Sequence, residues 1–417
     1  MRSSIRLLIV SPLLIASLAV IVYSLQPGRP GREPALAALD TLRDFPWLTD
    51  SYRFKQVTPN SQNLDPRRIA DLSRTLSQRG TKSLLILRNG QIVHESYAFS
   101  HGARAKHYTA SLAKALVGSM ALLVAIQDGW MRLEDPAWRY IPAWQADPSK
   151  SAIRLRDLAN HSSGIEHARE SGDPSDQLSG WKAEYWRHHA KRFHIALHVA
   201  PVKFLPGTRI SYSGPGYTAL SYALSASLRD APVSDIEELL RTRIMRPLGI
   251  PDTHWRIGYG KRFQQDGLRL YLFEGGGRYT ARAVARIGEL IGQRGTWHAK
   301  RILNSELIDS LVRADVATPA PRPAGEPVSA LGWWSNAKRT WPHLPDDTLL
   351  GVGSGHQVLV VIPSYRLVLV RQGESLGDTR SDKEFWQLLD HSLLRPLAEI
   401  IHPAANIAAA RESLKPQ

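Results

Sequence analysis

Ser111-Leu112-Ala113-Lys114 opens an apolar run, Ala115-Leu116-Val117-Gly118-Ser119-Met120-Ala121-Leu122-Leu123-Val124-Ala125-Ile126-Gln127, that stops at Asp128-Gly129. A run apolar on every side suits a helix enclosed in a large core. Residues three apart share a helical face, so the Ser111 hydroxyl and the Lys114 amine meet at the start of this helix. A serine hydroxyl is a weak nucleophile at neutral pH. A lysine drained of water holds its proton less tightly and can take the one on the serine. The same spacing recurs at Ser179-Gly180-Trp181-Lys182 and Ser335-Asn336-Ala337-Lys338. Ser179 lies in a stretch punctuated by Gly and Asp, Ser335 follows Trp333-Trp334, and neither opens an apolar helix. An ordinary helix-capping serine is the plain alternative for Ser111.

With 417 residues, 43% hydrophobic and 22% charged, the chain has the composition of a globular protein with a large core. The 53 Lys and Arg outweigh the 38 Asp and Glu, giving a net charge of +15. The basic residues are scattered, without a run of five and without a zinc-finger, homeodomain or RNA-recognition signature, so a nucleic-acid partner is not expected. With no cysteine there is no disulfide frame, thiol nucleophile or thiolate metal site. His194 and His198 have the spacing of zinc ligands, but no Glu stands between them and no third ligand is evident. Neither metal nor cofactor is expected.

After Arg2 and Arg6, the nineteen residues Leu7 to Leu25 carry no charge. As a helix they would span about 28 Å, close to a bilayer core. Val22-Tyr23-Ser24 is a weak cleavage site, so residues 1–25 read as a membrane anchor more readily than as a cleaved signal. The catalytic unit is expected outside the cytoplasm, anchored at the inner membrane and facing the periplasm, or secreted if the segment is removed. Residues 26–49 have the Pro- and Gly-rich composition of a linker, and a tail follows from 404 to 417.

Between linker and tail, Ser83–Leu87 and Gln91–Tyr97 around Asn89-Gly90 predict a hairpin with a type I′ turn. Gln357–Ile362 and Arg366–Val370 predict a second strand pair. Helical patterns fill the middle at 111–127, 216–227, 234–245 and 280–293, and a last one runs from Lys383 to Ile401. This order predicts an α+β fold in which both ends of the chain build one sheet, about 50–110 with 325–403, around a helical insertion at about 111–324.

Three further segments accompany Ser111. Ile153 to Ile165 ends in His161-Ser162-Ser163-Gly164-Ile165; Pro206 to Tyr217 contains Ser211-Tyr212-Ser213-Gly214; Gly351-Val352-Gly353-Ser354-Gly355 precedes the last strand pair. In order and spacing, over roughly residues 80 to 375, they resemble the serine β-lactamase and penicillin-binding-protein superfamily, in its class C-like branch of esterases and amidases. The resemblance implies a β-lactamase/transpeptidase-like fold, with an antiparallel sheet flanked by helices. It implies Ser111 as nucleophile, Lys114 and Tyr212 as its proton partners, and an oxyanion site from the N–H groups of Ser111 and Ser354 beside Gly353. It also implies that His161 sits in a structural loop.

Two departures bear on substrate. The family tyrosine is commonly followed by x-Asn, where this chain has Tyr212-Ser213-Gly214. The Lys-Thr-Gly element is replaced by Gly351-Val352-Gly353, which has no cation to grip a β-lactam carboxylate. Asp173-Pro174-Ser175-Asp176 is similar to a region of 6-aminohexanoate-dimer hydrolases, where Asp173 could meet a substrate amine. The expectation is a serine hydrolase acting on a small ester, amide or peptide through an acyl-enzyme. The alternatives are a slow-turnover penicillin-binding or sensor-type protein and a peptidoglycan-directed D-peptidase.

Overall fold

Asn89 and Gly90 both have positive φ (53° and 71°), the geometry that lets a two-residue turn follow strand twist. They join β1 (Thr81–Arg88) to β2 (Gln91–Tyr97). The computed structural model describes residues 54–99, 101–169 and 177–401. The apolar segment Leu7–Leu25, the linker, Asp173 and the tail lie outside the described residues.

From the other end of the chain come β3 (Val328–Ala330), β4 (Trp333–Ser335), β5 (Leu349–Gly353), β6 (Gln357–Ile362) and β7 (Leu367–Gly373). β7 lies antiparallel to β1 with Leu85 opposite Val370, which closes the two ends into one seven-stranded sheet ordered β3-β4-β5-β6-β7-β1-β2. Antiparallel sheets often leave one face wet, yet β5, β6 and β7 are buried along their whole length. That is why they read as continuous apolar runs and not as alternating ones.

One face packs Leu84, Ile86, Val358 and Val360 against α1 (Pro66–Gln78) and the C-terminal helical run that begins at Asp382–Leu389. Successive side chains on a strand point to opposite faces, so Leu359, Val361 and Val368 meet the helices of the middle region. Two of these position the site and a third packs on the sheet. The run Ala110–Gln127 (α2) winds from a 3₁₀ turn through a π-helical stretch, Lys114–Ser119, into α-helix. It is long and apolar enough to cross a membrane, but 78% of it is buried inside the protein, so it is a core helix. α3 (Gly214–Ser227) begins two residues before the periodicity suggests, because Pro215 fits the first turn and Ser213 caps Gly216. α4 (Ala281–Gly292) starts at its cap Thr280. The 234–245 pattern resolves into Ile236–Leu240 followed by a π-helical turn, Arg241–Met245.

α4 can approach the sheet because residue 288 has no side chain. A Cβ there would lie 2.8 Å from Val368 Cγ1 and 2.9 Å from Leu359 Cδ1. Gly288→Val should therefore overpack this layer and cost about 1–3 kcal/mol, read as a lower urea midpoint at unchanged m.

Candidate active site

Ala110 sits in the left-handed region (φ 47°), unusual for a residue with a Cβ and worth about 1–2 kcal/mol of strain. Its neighbour Thr109 is held on both sides. The Thr109 N–H donates to Gly277 O at 3.1 Å, and its hydroxyl donates to Gly276 O. The kink places half-buried Ser111 on a 3₁₀ turn at the head of α2, and the π-helical winding that follows carries Lys114 beneath it. Backbone strain and π turns of this kind concentrate at functional sites.

Lys114 is 3% exposed. Its amine donates to Ser111 Oγ at 3.3 Å, to Tyr212 Oη at 2.5 Å and to the main-chain oxygen of Glu274. It also lies over the rings of Tyr212 (4.7 Å) and Tyr217 (5.2 Å). Burial lowers its pKa to about 7; the Glu274 carboxylate opposes the shift and the Arg192 guanidinium adds to it. The Tyr212 hydroxyl lies 2.8 Å from Ser111 Oγ, and burial holds its pKa above the ordinary phenol value. The three groups form a closed triangle in which the amine can lose its charge near neutrality while the phenol keeps its proton.

Two histidines peg the tyrosine loop. The Ser211 N–H donates to His161 O at 2.7 Å, the Ser213 N–H to His161 Nδ1 at 3.1 Å, and the Gly214 N–H to His167 Nδ1 at 3.0 Å. The His161 ring lies 4.4 Å from that of Tyr212, and His167 meets it edge-on at 5.1 Å. Burial, with the Lys114 charge nearby, pushes both imidazole pKa values down, that of His167 to about 3. Neutral rings can accept from the main chain through Nδ1, which fits His161 as a support for the loop. Nothing in the local sequence marks His167 beyond its position after the His161 motif.

The end of β5 presses on the main chain of Ser111. A Cβ on Gly353 would lie 2.2 Å from Thr109 O and 3.0 Å from Ser111 N, so only glycine fits. Ser354 follows, exposed, with its carbonyl accepting from Tyr108 Oη at 3.4 Å. Gly351 faces Leu112, whose Cδ1 would be 2.5 Å from an added Cβ. A lysine at 351 would have to displace that leucine.

Other candidates lie apart from the triangle. Ser335 is buried in β4 with its hydroxyl on Val312 O, and Ser179 precedes the short helix Gly180–Arg187. His194 and His198 are exposed, and among the described residues no cluster of three His, Cys, Asp or Glu could hold a metal. The chain also contains one Gly-x-Ser-x-Gly pentapeptide, Gly373-Glu374-Ser375-Leu376-Gly377. Such an elbow needs a strand turning sharply into a helix, but here the next helix begins only at Asp382. The Ser375 hydroxyl donates to Gly377 O at 2.7 Å, and among the described residues the neighbouring His356 has no acidic partner.

The family model described as Beta-lactamase matches residues 69–391. Among solved structures, a Bacillus anthracis protein assigned as a 6-aminohexanoate-dimer hydrolase is 20% identical, with a TM-score of 0.62 over 84% of this chain and 87% of that one. A family VIII carboxylesterase is 14% identical, with a TM-score of 0.57 over 82% of this chain and 99% of that one. A penicillin-binding protein homolog from Caulobacter crescentus is 15% identical, with a TM-score of 0.56 over 80% and 98%. At these identities the likeness is one of fold. Comparison with curated proteins gave no match.

The burial of Lys114 makes a direct prediction. An NMR titration of the lysine side chains should show one amine with a midpoint near pH 7, lost in Lys114→Met; a set titrating wholly near pH 10 would contradict it.

Proposed function

We propose, on the premise that the chain belongs to the beta-lactamase family, that it is a serine hydrolase cleaving an ester or amide through an acyl-enzyme on Ser111. The observation that carries this reading is the triangle of Ser111, Tyr212 and Lys114. The direct path from Ser111 Oγ to the amine is 3.3 Å, whereas the path through the phenol has legs of 2.8 and 2.5 Å. The shorter legs favour a relay. As Ser111 attacks the carbonyl, its proton passes to Tyr212 while the tyrosine's own proton passes to neutral Lys114. Tyr212 then gives a proton to the leaving alkoxide or amine and recovers one from the Lys114 ammonium. Water next attacks the acyl-enzyme, passing its proton through Tyr212 to Lys114, and the same proton returned through Tyr212 restores the Ser111 hydroxyl. The developing oxyanion would be received by the N–H groups of Ser111 and Ser354, which Gly353 brings together by lacking a side chain.

The substrate class follows from what the site lacks. With Leu112 against Gly351, position 351 has no room for the cation that would grip a β-lactam carboxylate. Neutral esters and amides suit the site better. We place the catalytic unit outside the cytoplasm, on the charge-free stretch Leu7–Leu25.

Ser111→Ala should abolish turnover of short-chain esters and linear amides and prevent labelling by a fluorophosphonate; undiminished turnover in that variant would sink the assignment. A stoichiometric burst of product from the wild type with these ester and amide substrates, without continuing release, would instead indicate a slow-turnover sensor. Tyr212→Phe should lower kcat by about 10²–10⁴-fold with a smaller change in KM. Because the base must be neutral, kcat/KM should rise with pH through a midpoint near 7, the value to which burial lowers Lys114.

A further inference from the structure

Lys114 rests on a main-chain carbonyl, and that carbonyl belongs to one half of a buried ion pair. Glu274 O accepts from the Lys114 amine, while the Glu274 carboxylate accepts from Arg192 Nη1. The two charged side chains are 2% and 3% exposed. Arg192 is fixed in turn: its Nε donates to Tyr185 O at 2.7 Å, and its guanidinium lies 4.9–5.0 Å from the rings of Tyr185, Trp186 and Tyr259. After Glu274 come Gly275, Gly276 and Gly277, and the carbonyls of the last two hold Thr109. One irregular stretch, 274–277, thus supports both the amine and the kink that presents Ser111.

Three consecutive glycines leave such a stretch little stiffness of its own. A buried ion pair is a poor source of stability, since desolvation offsets its attraction. Here Glu274 Oε2 even lacks a hydrogen-bond partner among the described residues. A pair that gains little stability yet is caged by three aromatic rings has a better explanation in placement.

We propose that the Arg192–Glu274 pair is a positioning element for Lys114, anchoring the carbonyl on which the amine rests and balancing the charge around it. The inference rests on the reading of Lys114 as the base. The titratable groups facing Lys114 are Tyr212 from the loop before α3, Tyr217 from α3, His161 and His167 behind the tyrosine, and the pair itself. Both imidazoles are held neutral and both phenols protonated, so among the described residues the pair supplies the fixed charges that act on the amine.

The two halves pull Lys114 in opposite directions, carboxylate up and guanidinium down, which gives the test its signs. Glu274→Gln keeps the shape but leaves Arg192 uncompensated. The acid limb of kcat/KM should then move to lower pH by about one unit. Arg192→Met leaves the carboxylate, and the limb should move up by a similar amount. Arg192→Met/Glu274→Gln should return the limb close to its wild-type position, with kcat still reduced at least tenfold because the carbonyl is no longer anchored. Glu274→Gln is the deciding variant, because it retains a side chain that Arg192 can still contact. Where a variant is recovered in low yield, the pH dependence of fluorophosphonate labelling on the monodisperse fraction reads the same limb. If Glu274→Gln lowers kcat with the limb unmoved, the pair is only structural and the inference is overturned. A Ser111→Ala protein that still turns over would instead remove the reading of the site as a whole.

Discussion

The organising constraint of this molecule is an amine taken out of water. Lys114 can act as a base near neutrality only if its charged form is destabilised, and burial is the main reason its pKa falls to about 7. Much of the surrounding architecture follows from that need. The helix that carries Lys114 is enclosed by apolar residues, the phenols of Tyr212 and Tyr217 cover the amine, and the acceptor beneath it is a neutral carbonyl. A carboxylate in direct contact would have held the proton in place. The structure keeps the Glu274 carboxylate turned toward Arg192 and offers Lys114 only that residue's main chain.

The same enclosure shapes what the site can recognise. Leu112, next to Ser111, occupies the space in front of Gly351, so the leucine that helps dry the helix also leaves no room for a long side chain at 351. Beyond the tyrosine, Gly214 leaves a gap into which His167 fits, its Cε1 3.2 Å from where a Cβ would stand. The Gly214 N–H occupies the His167 Nδ1 lone pair, so the neutral ring carries its hydrogen on Nε2 and is a donor there.

Much of the fold could be read from the sequence because local rules and tertiary packing agreed. Asn89-Gly90 required its turn, the all-apolar run after Ser111 required burial, and the strand patterns at both ends required a shared sheet. Ser111, Lys114 and Tyr212 were legible for a similar reason: each sits in a short motif with its own turn or helix signal, and the structure brings all three within hydrogen-bond reach. The supports were not legible. Arg192 and Glu274 lie 82 positions apart, and nothing local marks either of them. The kink at Ala110 is imposed by the carbonyls of Gly276 and Gly277, against the preference of alanine itself. The pentapeptide around Ser375 shows the converse, since a motif without its strand-to-helix turn leaves the hydroxyl on a neighbouring carbonyl.

Buried cations stand on both sides of Ser111, and their chemistry differs. On the sheet side Arg371 is fully buried, and its hydrogen bonds go to neutral oxygens: Thr81 Oγ1, Gly355 O, His356 O and Glu374 O. Two of these lie in the turn that follows Gly353 and Ser354, so Arg371 braces the strand end that meets Ser111. Burial lowers its pKa only to about 10, and at neutral pH it stays charged and keeps its donors. A guanidinium can serve as a permanent brace because it does not give up its proton in the working range. An ammonium in comparable burial does give it up. Lys at 114 and Arg at 371 and 192 thus separate a cation whose proton is loosened to near neutrality from two that keep theirs.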